Sequence, residues 1–194
     1  NVYRAYFQLR QYHDKEDALF FDVFDYNLFD KESAFYCGLI SELLREESAI
    51  KKIDFYMIDI PKKVDESDLP VYRKMAYASI FDLLPVQAIF NIIAPLIEER
   101  LNACSYGYRW NSDPALPYQI FQDWRIAYPK FRNSALDALS DNEGGWYFCC
   151  DIKSYYDTIK HDLLLAQLND AVSKNDDHAI KNALKLLVAG YVSQ

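Results

Sequence analysis

The chain has 194 residues, 51% of them apolar and 16% aromatic, with a formal net charge of −8. That length and apolar content suit one ordinary domain or two small ones with a real core, and the acidity counts against nucleic-acid binding over the surface at large. No apolar run of about eighteen residues occurs, and the first residues lack a basic-then-apolar layout, so no membrane span and no signal peptide are expected.

The charge is uneven. Residues 1–50 carry −5 and residues 133–194 carry −4, whereas residues 51–132 carry +1. A phosphate-contacting surface is therefore expected in the middle third. The four cysteines, Cys37, Cys104, Cys149 and Cys150, show no C-x-x-C spacing. Cys149 and Cys150 read as small buried hydrophobes on opposite faces of a strand, and a reducing, cytoplasmic setting fits.

In chain order, residues 1–26 read as helical, with Asp14 as a cap for a segment through Phe24. Asp30 reads as the cap of a second helix burying Phe35, Leu39, Ile40, Leu43 and Leu44. From Phe55 to Ile60 β-branched and aromatic residues predict a strand ended by Pro61. An acidic loop leads to a second strand, Val71 to Ser79, and the two form a hairpin. Val71, Arg73, Met75 and Tyr77 share one face of the second strand, so Lys62, Lys63 and Arg73 are able to converge at one edge. Two lysines and an arginine there suit a triphosphate, the arginine as a bidentate fork and a lysine as a point charge. A solvated hairpin with ordinary surface charges is the competing reading.

Asp82 and Pro85 open a long helix through about Leu101, with Ile89, Phe90, Ile93, Leu96 and Ile97 buried and a kink at Pro95. Ser105-Tyr106-Gly107-Tyr108-Arg109 then forms a loop whose glycine allows close backbone approach. Phe121, Trp124, Tyr128 and Phe131 fall at helical spacing, interrupted at Pro129. This predicts two helices meeting at a bend, with an aromatic stripe that belongs to the core rather than to a base-stacking platform.

Trp146 to Cys150 is a run of five apolar or aromatic residues, short enough for a buried strand. Asp151 follows at the strand end, where a lone carboxylate suits a divalent metal that fills its shell with water and phosphate. Asp157 lies six residues further on, and His161 begins a helical pattern that continues, with a break near Lys174 to Asp177, to about Val192.

The order of these pieces is similar to the fingers and first part of the palm of a prokaryotic reverse transcriptase, of the group containing intron, retron and phage-defence enzymes. The resemblance rests on the basic hairpin with Arg73, on residues 105–109, and on Asp151-Ile152-Lys153-Ser154-Tyr155-Tyr156-Asp157-Thr158-Ile159-Lys160-His161. It spans roughly Phe55 to Leu168. Trp110 stands where intron enzymes usually have proline, and the Trp- and Phe-bearing insert that follows resembles the abortive-infection and defence branches.

What the resemblance implies is an α+β chain: a helical extension over 1–50, helix-rich fingers with a β-hairpin over 51–145, and the start of a right-hand polymerase palm over 146–194. Asp151 becomes the first metal-binding aspartate, with the backbone carbonyl of Ile152 beside it, and the cofactor is Mg²⁺ or Mn²⁺. Tyr156 becomes the steric gate under the incoming sugar, Arg73 the fingers arginine, and Lys62 or Lys63 the fingers lysine. Arg109 is either structural or a template contact. His161 and Asp157 match structural positions. The implied partners are an RNA template, a DNA primer and deoxynucleoside triphosphates.

The family's remaining metal carboxylates lie in a Tyr-x-Asp-Asp hairpin, which this sequence does not contain. Asp176-Asp177 reads as a solvated turn between helices and not as a substitute. The expectation is a portion of a longer polymerase, inactive by itself. A non-catalytic polymerase-like module that binds nucleic acid or a protein, and an unrelated Mg²⁺-dependent phosphotransferase, are the competing readings.

Overall fold

The computed structural model describes residues 1–15, 23–45, 53–64, 69–141, 144–152, 155 and 158–188. Among these the fold class is α+β, with seven helices and one two-stranded antiparallel sheet. The helices are α1 (Val2–Lys15), α2 (Val23–Lys31), α3 (Ser33–Leu43), α4 (Ile80–Glu98), α5 (Trp124–Ser140), α6 (His161–Ser173) and α7 (His178–Leu187). Strands β1 (Tyr56–Val64) and β2 (Pro70–Tyr77) lie between α3 and α4. The chain divides into two units, Asn1–Phe90 with Lys185–Gln194, and Asn91–Leu184.

The core of the first unit is centred on Phe29, which is fully buried. Its ring stacks on Tyr6 of α1 at 5.0 Å and on Tyr36 of α3 at 5.3 Å, and meets Phe81 of α4 at 5.6 Å. Val2, Ala5, Cys37, Ile40, Ile80, Leu84 and Ala88 complete the cluster. Burying one side chain the size of Phe29 stabilises by roughly 1.5–3 kcal/mol from transfer alone, and its ring contacts join four helices.

Polar details correct the expected helix starts. Asp14 lies within the span of α1, and the segment it was expected to cap runs largely outside the described residues, while Asp30 lies inside α2. Asp30 instead accepts a hydrogen bond from the Tyr6 hydroxyl and pairs with Arg10 at 3.1 Å. Helix α3 starts after Glu32 with no side-chain cap and buries Cys37 and Ile40, while Phe35, Leu39 and Leu43 of the expected face are exposed. The cluster that α3 joins is already filled by rings from α1, α2 and α4, which selects the narrow Cys37–Ile40 side. Helix α4 starts two residues before Asp82. Ser79 forms its cap, its Oγ accepting from the Phe81 amide at 3.2 Å while its hydroxyl donates to Asp25 at 2.6 Å.

By length and composition α4 is long and apolar enough to cross a membrane. Ile80, Leu84, Ala88, Ile89, Ile93 and Ala94 on this helix are buried within the fold. In the second unit the buried positions include Trp110, Asn111, Leu168, Val172, Ala183 and Leu184. Asp177 caps α7, its Oδ1 accepting from the Ala179 amide at 2.8 Å, and Asp176 pairs with Lys181 at 3.1 Å. These two aspartates thus serve the turn they sit in. His161 is the first residue of α6, and the cap before it is Lys160, which makes no side-chain cap bond.

Candidate functional site

The hairpin carries the first group of site residues. Its ladder pairs Ile58 with Met75 and Ile60 with Arg73, then Pro61 with Tyr72, Lys63 with Val71 and Val64 with Pro70. The expected end of β1 at Pro61 is therefore wrong. In a two-stranded ribbon each strand has a free edge, so a proline is tolerated there without breaking the ladder. The strand does pay locally: the register shifts between Pro61 and Lys63, leaving Lys62 as the extra residue of a bulge.

That bulge has a consequence for the cations. Ladder partners share a face, so Arg73 lies on the face with Ile58, Ile60 and Met75 that is the more covered of the two, yet Arg73 itself is exposed. Lys62 is exposed as well, one residue from the Lys63–Val71 pair. Neither Lys62 nor Arg73 makes an ion pair or side-chain hydrogen bond among the described residues. In the ladder Arg73, Lys62 and Lys63 fall at neighbouring positions, between the Ile60–Arg73 and Lys63–Val71 rungs.

Arg109 is placed quite differently. Its Nη2 pairs with Glu98 Oε1 at 2.6 Å, its Nε donates to the same oxygen at 2.7 Å, and its Nη1 donates to the Ser105 carbonyl at 2.8 Å. The second oxygen of Glu98 accepts from the Trp110 amide at 2.9 Å. Burial alone disfavours the Glu98 carboxylate. The hydrogen bonds from Arg109 and Trp110 outweigh it and hold the pKa below the ordinary value. The geometry supports the structural one of Arg109's two readings, as a clamp between the end of α4 and the loop that follows.

The loop is organised by Asn111, buried, whose Nδ2 donates to the carbonyls of Leu116 at 2.8 Å and Gln119 at 3.1 Å. An isolated bridge joins Trp110 to Phe121. Gly107 has open space where a side chain would stand, so close approach is not its role. Tyr108 is the residue with positive φ, at 54°. Asn111 escaped the sequence reading because a lone asparagine in a loop announces nothing until its carbonyl partners are known.

The stretch from Trp146 to Ile152 corrects the largest expectation. It is not a buried strand: all seven residues are exposed, Trp146 at 100% and Phe148 at 87%. The segment has no regular secondary structure, and a side-chain hydrogen bond between Tyr147 and Cys149 raises the tyrosine pKa. A strand needs an adjacent strand to take its amides and carbonyls, and among the described residues the only ladder is β1 with β2. Cys149 and Cys150 are exposed free thiols for the same reason, not buried hydrophobes.

Asp151 is exposed in this segment and makes no ion pair or side-chain hydrogen bond among the described residues; Ile152 follows it, also exposed. Tyr156 and Asp157 lie outside the described residues. Among the described residues no group of three metal-ligating side chains occurs. A single carboxylate and a neighbouring carbonyl fit a Mg²⁺ ion only as one part of a shell that substrate phosphates and further ligands complete. The hairpin belongs to the first unit and Asp151 to the second.

The remaining expected feature, the stripe on α5, is also corrected. Residues 124–140 form one helix that runs through Pro129, and none of its residues is buried. Asp123 caps it, accepting from the Arg125 amide at 2.9 Å. Pro129 is the sixth residue of the helix, where it gives up the bond to the Arg125 carbonyl and its ring crowds that carbonyl, yet the helix continues through it.

Compared with known proteins, the chain matches no family model, no curated protein and no solved structure.

Proposed function

We propose that the chain is the fingers and first part of the palm of an RNA-directed DNA polymerase of the prokaryotic reverse-transcriptase type, working in the cytoplasm in phage defence. The observation that carries this reading is the order of three motifs: the hairpin with Lys62, Lys63 and Arg73, the loop at 105–109, and the segment from Asp151 to His161. Two features of the structure support it. Lys62 and Arg73 are exposed and uncommitted to any described carboxylate, and Asp151 is likewise exposed, with no ion pair or side-chain hydrogen bond among the described residues.

In this reading Arg73 grips the triphosphate through a planar fork, with Lys62 or Lys63 adding charge. These groups offset the negative charge that builds as the 3′-oxygen of a DNA primer attacks the α-phosphate in line and pyrophosphate departs. Asp151, with the Ile152 carbonyl, would hold a Mg²⁺ or Mn²⁺ ion, which when bound supplies Lewis-acid stabilisation of the attacking and leaving oxygens. Tyr156 would crowd a ribose 2′-hydroxyl. Further carboxylates would come from a Tyr-x-Asp-Asp hairpin, a motif not found in these 194 residues, so the reading is of one part of a polymerase.

The test uses the gene's full-length product, a primed RNA template and deoxynucleoside triphosphates with Mg²⁺. Asp151→Asn should abolish primer extension while leaving circular dichroism and template binding unchanged. Extension retained by that variant would overturn the assignment. If the wild-type protein binds template but never extends a primer, the chain is a binding module instead.

A further inference from the structure

The first half of α5 reads Trp124, Arg125, Ile126, Ala127, Tyr128, Pro129, Lys130, Phe131, Arg132: three cations, three rings and no acid in a chain of net charge −8. Trp124, Tyr128 and Phe131 stand at i, i+4 and i+7, which puts them on one face of the helix. All three are open to solvent, at 72%, 57% and 47% exposure. Tyr128 and Phe131 lie with ring centroids 6.3 Å apart, and Phe131 is braced from behind by Tyr106 at 5.8 Å. Two of the three rings thus touch a neighbouring ring while all three stay open to solvent.

Arg132 follows Tyr128 by four residues and so adjoins the stripe, and Lys130 stands round the helix from it. Both are exposed, and neither makes an ion pair or side-chain hydrogen bond among the described residues. Arg125 is different: its guanidinium is held by Asp123, with Nη2 to Oδ2 at 2.6 Å and Nε to Oδ1 at 3.0 Å. The charge available to a partner is thus that of Arg132 and Lys130.

We propose that this face of α5 is a stacking platform for single-stranded nucleic acid. Exposed rings take unstacked bases of any sequence, and neighbouring cations take the backbone phosphates. A duplex offers no free base faces, so the occupant is single-stranded. An acidic protein surface would satisfy the cations but leave the three rings open, and a purely apolar partner would cover the rings but strand the charge of Arg132. The chain as a whole is acidic, whereas Arg132 adjoins the aromatic face and Lys130 stands beside it round the helix, with no acid between residues 124 and 132. The site does not depend on the polymerase reading; a chain with no catalytic activity would carry it equally well.

The test is fluorescence anisotropy of the 194-residue chain with labelled oligothymidylate and oligouridylate, which separates DNA from RNA as the source of the strand. Binding should weaken with salt along a slope of about −0.7 to −1.4 in log–log form, the value for one or two phosphates neutralised on a single strand. Tyr128→Ala and Phe131→Ala should each weaken binding about ten-fold, Tyr128→Phe should not, and Lys130→Glu with Arg132→Glu should remove the salt dependence. These side chains are exposed, and circular dichroism should confirm that each variant stays folded. Binding unchanged in the Tyr128→Ala, Phe131→Ala double variant would overturn the proposal. So would absence of oligonucleotide binding with a loss of self-association in that variant, which would assign the stripe to protein contact.

Discussion

The guanidinium of Arg109 closes on the carboxylate of Glu98, Nη2 to Oε1 at 2.6 Å, and so ties the last turn of α4 to a loop eleven residues on. The pair fixes a pH dependence with a definite sign. The folded-state pKa of Glu98 is depressed below its usual value near 4.5. A depressed carboxylate contributes stability that is present above the unfolded-state pKa and is lost as pH falls through the folded one. Wild-type thermal stability should therefore decline below about pH 4.5, and Glu98→Gln should flatten that decline while lowering stability at neutral pH. Melting curves from pH 3 to 7 check this, about four units spanning both states of the group. An unchanged acid limb in the variant would remove Glu98 from the clamp.

The Tyr6 hydroxyl, buried between α1 and α2, donates to Asp30. Burial and that acceptor both push its pKa well above the usual 10. Because the folded value is raised, the contribution is complete below pH 10 and is lost as pH climbs through the folded pKa. Tyr6→Phe should cost about 1.5–3 kcal/mol at neutral pH, the range for a hydrogen bond to a charged group, and should leave the ring packing on Phe29 intact. Urea unfolding with the m-value unchanged is the measurement; a neutral effect would mean that Arg10 alone satisfies Asp30.

These two pairs show where sequence reading stops. The hairpin and α4 were legible because alternation and a long apolar run are local signals. Asp30 was legible only as a generic cap, since its partner Tyr6 lies 24 residues away. The spacing of Trp124, Tyr128 and Phe131 gave a helix face but said nothing about whether anything covers it. Trp146 to Cys150 has a strand's composition, but a strand also needs a neighbour, and no neighbour can be read from the run itself. For the candidate site, the Asp151 and Arg73 motifs were visible as types in order. The bulge at Lys62 was not, because it depends on which residue of β2 each residue of β1 pairs with.

For sugar discrimination, Tyr156 carries the prediction from motif position alone. On the proposed polymerase reading, Tyr156→Ala in the full-length protein should admit ribonucleotides at least ten-fold more readily relative to deoxyribonucleotides, roughly 1.4 kcal/mol of lost discrimination. Single-nucleotide extension with each sugar reads the ratio. An unchanged ratio alongside normal deoxyribonucleotide extension would remove Tyr156 as the gate.

The bulge makes a sharper prediction about the hairpin. Lys62 is skipped by the ladder, whereas Arg73 is fixed opposite Ile60. Arg73 should therefore be sensitive to shape as well as charge, and Lys62 to charge alone. Arg73→Lys should raise the KM for nucleoside triphosphate about ten-fold, because an ammonium cannot reproduce a two-pronged grip on phosphate. Lys62→Arg should be tolerated, and Lys62→Glu should be as harmful as Arg73→Lys. Both positions are exposed, so none of these changes should disturb folding. Steady-state extension by the full-length protein, with template concentration held saturating, separates nucleotide KM from kcat. If Arg73→Lys leaves KM unchanged, the hairpin cations are ordinary surface charges, and the triphosphate is held elsewhere.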